Sequence, residues 1–336
     1  MIKIIKVGDV HARYDVPKSR LDSYPDTVLT KLEYVFALAR NTESYVVFVG
    51  DIGNSPSLHK GDGYIFFLRL MHLFKKYDDV KKFIVVGNHD VYGQNVETFD
   101  KSYLKAFEVM GLIERLRMDK PVILEDDDTR VAITGCDYFH QIDKGDLSYY
   151  TGFTKTNDAV MIHAVHGFLT DNKAKWDKIK TTSIDEISDT PAHITLAGHE
   201  HSGFGIVFKN SRHFVNIGSL LRVSASVGDI GNEVSVAMIE IDGNDIDIKE
   251  HFLPATIAKP ATMVINRAAL EEEKERAALI ENLSNASAAL FDVGDLEAGI
   301  TLIDDLIKYS ETLNIPKKVV DIMLECIEEA EKEREI

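Results

Sequence analysis

From residue 1 to about 252, short apolar runs rich in valine, isoleucine and phenylalanine alternate with longer stretches whose apolar residues recur at helical spacing. The runs Ile2–Val7, Tyr45–Val49, Phe83–Val86, Val122–Leu124, Val131–Thr134, Ala159–Val165, Ile194–Ala197, Phe214–Ile217 and Val234–Ile241 predict strands. Several carry no polar face, as strands buried on both sides do. Helices are predicted over Thr27–Arg40, Gly63–Lys76 and Phe99–Met110, the first with Val28, Leu32, Val35 and Phe36 on one stripe. Alternation of this kind predicts a layered α/β domain. The strand-rich later part predicts a second sheet packed on the first.

After Pro254 and Pro260 the texture changes. Leu279, Leu283, Ala286 and Leu290 form one helical face, and Leu296, Ile300, Ile303 and Ile307 another, with Asp295 placed to cap it. A third helix is predicted from about Pro316, with Val320, Met323, Ile327 and Ala330 on one side. The division expected is a main domain over 1–252, a linker over 253–265 and an acidic helical tail over 266–336. Such faces need partners. The tail is either a subdomain packed on the body or on a second copy, giving a homodimer, or a docking module for another protein.

Composition narrows the classes. At 45% hydrophobic and 28% charged, the 336 residues predict a globular chain with a sizeable core. No apolar run is long enough to span a bilayer. The N-terminal strand has no leader character, and Cys136 and Cys326 alone build neither a disulfide framework nor a cysteine zinc site. A cytoplasmic location is expected. The net charge of -17 argues against unaided binding to nucleic acid. Much of it sits in residues 266–336, which hold 18 acidic and 8 basic side chains, so the remaining body is only mildly acidic.

Candidate chemistry is concentrated in five motifs, nearly all where a predicted strand ends. They are Gly8-Asp9-Val10-His11, Gly50-Asp51-Ile52-Gly53-Asn54, Gly87-Asn88-His89-Asp90, His166-Gly167 and Gly198-His199-Glu200-His201. Loops beyond the carboxyl ends of strands converge on one edge of an α/β sheet, so residues far apart in sequence can share a site. Carboxylate, amide and imidazole donors without thiolate suit two divalent ions such as Mn²⁺, Fe, Zn²⁺ or Mg²⁺. Two ions ~3.5–4 Å apart can hold both the attacking and the leaving oxygen of an in-line phosphoryl displacement. Asp51 is the candidate bridge. Asp9, His11 and His201 would complete one shell, and Asn88, His166 and His199 the other. His89 is left to protonate a leaving oxygen, with Asp90 expected to accept its ring N–H.

This set of motifs resembles the calcineurin-like metallophosphoesterase superfamily over about residues 1–220. The resemblance implies a two-sheet β-sandwich flanked by helices, a dinuclear centre at the strand ends and hydrolysis of phosphoesters, with the roles above matching position by position. Asn216-Ile217-Gly218-Ser219-Leu220-Leu221-Arg222, followed by a strand pair and a helical tail, is similar to SbcD-type DNA nuclease subunits of repair and recombination complexes. That resemblance implies Mn²⁺, DNA as substrate, a short capping-like segment from about residue 213, and terminal helices that bind an SbcC-like coiled-coil ABC ATPase. Two positions depart from that group, Ala12-Arg13 after the first motif and Asn54 in the second. A stand-alone phosphatase or small-substrate phosphodiesterase with an oligomerising tail remains the alternative.

His163 and His166 lie on opposite faces of one strand, so only one can reach the metals, and the following Gly167 favours His166. Arg13 and Arg222 are candidates for touching a substrate phosphate. His59, His72, His140, His193, His213 and His251 stand outside the motifs.

Overall fold

A strand whose residues are apolar on both faces has to lie between neighbours, and β1 (Ile2–Val7) does. The computed structural model describes residues 1–58, 62–173, 179–222 and 233–266, with isolated positions beyond. In the first sheet β1 pairs in parallel with β2 (Tyr45–Phe48), which continues through β3 (Lys82–Ile84) to β4 (Glu114–Arg115). On its other side β1 pairs antiparallel with β13 (Ser235–Asp242), and β14 (Asp245–Phe252) closes that edge.

The second sheet has its own parallel centre. β6 (Thr129–Cys136), β7 (Val160–Val165), β10 (Ile194–Ala197) and β12 (Arg212–Asn216) run parallel, with β5 (Val122–Asp126) and β11 (Gly205–Lys209) as antiparallel edges. A two-stranded piece, β8 (Leu169–Thr170) with β9 (Thr182–Ser183), stands apart. Ile4, Val47 and Phe83 of one sheet join Ile133, Ile162 and Leu196 of the other in a single buried cluster.

Helices cover the outer face of the first sheet. α1 (Tyr24–Thr42) buries the predicted stripe of Val28, Leu32, Val35 and Phe36. Phe36 meets Phe48 of β2 and Phe74 of α2 (Asp62–Lys76) edge on, with centroids 6.2 and 5.0 Å apart. Burying each such ring is worth about 1.5–3 kcal/mol.

The third predicted helix is broken. Val96–Lys101 is a 3-10 turn, and α3 is only Tyr103–Val109. Ser102 between them is extended (φ −83°, ψ 157°), and its hydroxyl donates back to the Phe99 carbonyl at 2.8 Å. Serine's local bonding to the backbone competes with helix at this position.

In the described part of the segment from about 213, β12 extends the second sheet and β13 lies in the first, where Val236, Ala237, Ile239 and Ile241 are buried. Residues 253–265, expected as a linker, pack on the chain around residue 20. Leu21 N–H donates to the Val264 carbonyl at 2.9 Å, Asn266 N–H to that of Ser19 at 2.8 Å, and Leu253, Val264 and Ile265 are buried. The chain divides into two units, Met1–Asn266 and Arg267–Ile336. The tail's three predicted helical faces lie outside the described residues, as do His59 and Cys326. Among the described residues, no helix is long and apolar enough to cross a membrane.

Candidate metal centre

Each motif follows a strand of the two parallel centres. Asp9 and His11 follow β1, Asp51 follows β2, Asn88 and His89 follow β3, His166 follows β7, and His199 and His201 follow β10. The two sheets thus present their carboxyl ends to one locality. Ligand atoms of Asp9, His11 and His201 form one group, those of His11, Asp51 and His89 a second, and those of Asp51, His166 and His199 a third, each within 4.8 Å.

Asp51 stands between the groups, its Oδ2 3.7 Å from His11 Nε2 and 3.4 Å from His166 Nε2. Asn88 Oδ1 lies 3.1 Å from His166 Nε2. His166 Nδ1–H donates to the Val49 carbonyl at 2.7 Å, which fixes its tautomer and turns Nε2 to the cluster. Asp9 receives the backbone N–H of His199 at 3.2 Å.

The loops are held in uncommon conformations. His11 (φ 49°), Asp51 (φ 48°) and His199 (φ 72°) are all in the left-handed region, at about 1–3 kcal/mol each for a non-glycine residue. Glycines that open the second and third motifs serve close approach. A Cβ on Gly87 would lie 2.0 Å from Asp51 Oδ1, and one on Gly50 would lie 2.1 Å from His166 Nδ1.

The donors fit cations better than they fit one another. His11 Nε2 and His201 Nε2 are 3.0 Å apart, while His11 Nδ1 is buried without a hydrogen-bond partner. Asp9, Asp51, His11 and His166 are all essentially inaccessible. Burial, reinforced for His199 by His166, holds His11 and His199 down to about 4, the neutral state a ligand requires. Burial also opposes charge on His166, but Asp51 and Asp9 outweigh it and raise that group to about 10. The Asp51 carboxyl sits well below its usual range: burial pushes it upward, and the charge and hydrogen bond of His166 prevail.

A family model for calcineurin-like phosphoesterases matches residues 2–209. The chain belongs to that family. No curated protein matches the sequence. Among solved structures, sulfate thiohydrolase SoxB from Thermus thermophilus, in complex with glycerol, is similar at 11% identity and a TM-score of 0.45. The match covers 77% of this chain and 57% of that longer one. A dimetal phosphatase from Danio rerio is similar at 12% identity and a TM-score of 0.48, over 75% of this chain and 96% of the other.

Within the phosphoesterase scaffold some expected roles shift. Asp90 does not bond the His89 ring. It is buried, its carboxylate accepting from Gly53 N–H at 2.8 Å and Gly87 N–H at 2.9 Å, so it ties the second motif to the third. Two backbone donors that lack other partners draw it there. Burial and the Asp51 charge raise its pKa to about 8. His89 Nδ1 instead faces the Asn54 carbonyl at 3.3 Å, its backbone N–H donates to Asp51 Oδ1 at 2.8 Å, and its exposed ring stands 4.8 Å from that of His11.

Arg13 Nε donates to Asp15 at 2.8 Å in a fork, and Arg222 reaches the Lys259 carbonyl at 3.1 Å and lines a different cavity. His163 is buried away from the cluster, between Thr134 Oγ1 and the Tyr149 carbonyl, each at 2.9 Å.

Sequence reading missed the supports. The Glu200 carboxylate accepts from Ser202 N–H at 2.9 Å and Gly203 N–H at 2.7 Å, bracing the turn between His199 and His201, and Asn216 Nδ2 donates to the Glu200 carbonyl at 2.9 Å. Position within the last motif was the one available signal for Glu200. Tyr138 and Phe168 stand against His199, with centroids 5.6 and 5.7 Å away, and nothing in their sequence surroundings marks them.

Proposed function

We propose that this phosphoesterase hydrolyses phosphodiesters on two divalent cations, and that its substrate is DNA presented by a coiled-coil ATPase partner. The observation carrying the hydrolytic reading is the position of Asp51 Oδ2 between His11 and His166, which lets one carboxylate serve two metal groups. Asp9, His11 and His201 would hold one ion, and Asn88, His166 and His199 the other. When bound, the ions supply the positive charge that steadies the attacking and leaving oxygens of an in-line displacement. Mn²⁺ is the first metal to supply.

The chain's own groups do the rest. The Val49 carbonyl and the His199 N–H orient His166 and Asp9, so the donors need little rearrangement on loading. His89, exposed beside His11, is placed to give a proton to the departing oxygen. The nuclease reading is supported by the sequence Asn216–Arg222 and by the three amphipathic helical faces expected in the tail, which suit a docking partner. A net charge of -17 makes a partner necessary to bring DNA to the centre.

A second reading is a stand-alone phosphatase or small-substrate phosphodiesterase. It is favoured by the described part of the segment from 213, whose strands lie in both sheets. Hydrolysis of linear duplex DNA, a chromogenic phosphodiester and a chromogenic phosphomonoester should be compared with Mn²⁺, with and without a candidate ATPase. DNA cleavage that rises with the ATPase is the expected result. Monoester preference with no DNA cleavage in either condition overturns the nuclease reading and leaves the phosphatase.

A further inference from the structure

Beside the start of α1 lies a cavity of about 240 Å³. Arg20, Lys31 and Arg222 line it, together with Thr27, Thr256 and Lys259. The first three are buried, at 6, 2 and 6% exposure. Buried cations gathered on one cavity are costly unless each meets an anion.

Arg20 meets one. It grips Asp22 through Nε at 2.8 Å and Nη2 at 2.7 Å, and Asp22 also accepts from the Thr27 hydroxyl at 2.6 Å. Asp26, the other carboxylate lining the cavity, accepts from Arg69 at 2.6 Å and from Ser23. Among the described residues Lys31 has no carboxylate within hydrogen-bonding reach: its hydrogen bond is to the Leu220 carbonyl at 2.9 Å, and an ammonium carries three donors. A neutral donor would serve that carbonyl without burying a charge. Burial, with Arg222 and Arg20 nearby, outweighs the attraction of Asp22 and holds the Lys31 pKa down to about 7, a penalty that a bound anion would relieve.

We propose that this cavity binds a phosphate-class oxyanion, either free or carried on a nucleotide, at a site distinct from the candidate metal centre. Lys31 keeps two further N–H donors, and the Lys259 ammonium and the Thr256 hydroxyl beside it are donors of the kind that phosphate oxygens take. The volume has room for such a group in place of several waters. The two sites share a loop: Leu220 N–H donates to the Asp9 carbonyl at 2.9 Å, and Ser219 N–H to that of His201 at 3.0 Å. An occupant bound by Lys31 therefore shares its ammonium with the carbonyl of the residue that secures Asp9.

The test is equilibrium dialysis of the full-length, metal-loaded protein against inorganic phosphate and, separately, a nucleoside 5′-monophosphate. Wild type should bind one equivalent more than Lys31→Met, and Asp51→Asn, disabled at the metal centre, should keep that equivalent. Lys259→Glu, at an exposed position, should weaken it by about tenfold or more through reversed charge. Should Lys31→Met fail to fold, Lys259→Glu decides. Binding of the nucleotide alone assigns the source to nucleotides, and binding of both assigns it to the phosphate group itself. Unchanged binding in Lys259→Glu, or no binding of either ligand to Asp51→Asn, overturns the proposal.

Discussion

The two ends of β7 open on polar regions that differ in kind. Before its start, Asp158 joins Glu125, Asp126, Asp127 and Asp128 around a cavity of about 1170 Å³. These carboxylates are exposed, and the nearby imidazole of His193 is engaged, its Nδ1 accepting the Met161 N–H at 2.8 Å. After the strand's end comes His166, fully buried against Asp51, Asn88 and the Val49 carbonyl. The larger space has the greater charge, yet solvent screens its carboxylates and nothing holds them toward a common point. The smaller cluster has fewer charges, all aimed inward by backbone bonds made elsewhere. Convergence under burial, and not cavity size, marks the chemistry.

That contrast can be broken most directly at Asp51. Asp51→Asn should lower phosphodiester turnover about a thousandfold or more, beyond the roughly 10–100-fold that a group merely orienting a ligand costs. The Asp127→Asn, Asp128→Asn double variant should leave turnover within about twofold, because exposed charges contribute little. Equal losses from both would end the distinction. His89→Ala should reduce turnover by about 10²–10⁴ while bound metal, counted by elemental analysis, stays at the wild-type level. Metal lost along with activity would make His89 a ligand instead.

Gly50→Ala sharpens the role of close approach. Its Cβ would strike His166 Nδ1 at 2.1 Å, so metal affinity should fall by about 10–100-fold as the Val49 bond is displaced. Gly145 shares the backbone angle of φ 101°, with nothing within 4 Å of an added Cβ. Gly145→Ala should therefore bind metal as wild type does, and a matching loss there would mean that backbone strain alone is responsible.

The remaining effect is on stability and not on the site: it concerns His163, three residues from His166. Burial lowers its pKa from 6.5 to about 4, so the unfolded chain binds the proton more readily. Its stabilising effect is complete above pH 6.5 and declines as the pH falls toward 4. The loss amounts to roughly 3 kcal/mol for one such shift. His163→Gln should show a flatter dependence of urea midpoint on pH across that window. An unchanged slope would place the acid sensitivity elsewhere.

The parts of the fold legible in sequence are those where burial is complete. β1 and β10 were read with the ends they have, and the stripe of α1 is buried as its spacing predicted. The strands that escaped include β4, β11 and β14, which lie at sheet edges. β14 alternates Ile246 and Ile248 with Asp245, Asp247 and exposed Lys249, a pattern whose apolar half is too short to separate from a polar loop. At the site, residue types and their order at strand ends were enough to gather the metal candidates. The partners of Asp90 and Arg222 were not legible, because they are backbone groups that no residue type marks, and Arg13 is taken by Asp15 two residues on.

What the sequence determined by itself was the inventory: apolar runs that must become buried strands, and histidines and carboxylates placed just beyond them. Periodicity and residue chemistry are local properties, so they survive without coordinates. The tertiary structure decided everything that depends on distance. It set Asp51 between two histidine groups, turned Asp90 away from His89, drew the segment from 213 into both sheets and gathered Arg20, Lys31 and Arg222 around one cavity. Hydrogen bonds and charge interactions act over a few ångströms, and only folding brings residues separated by nearly two hundred positions within that reach.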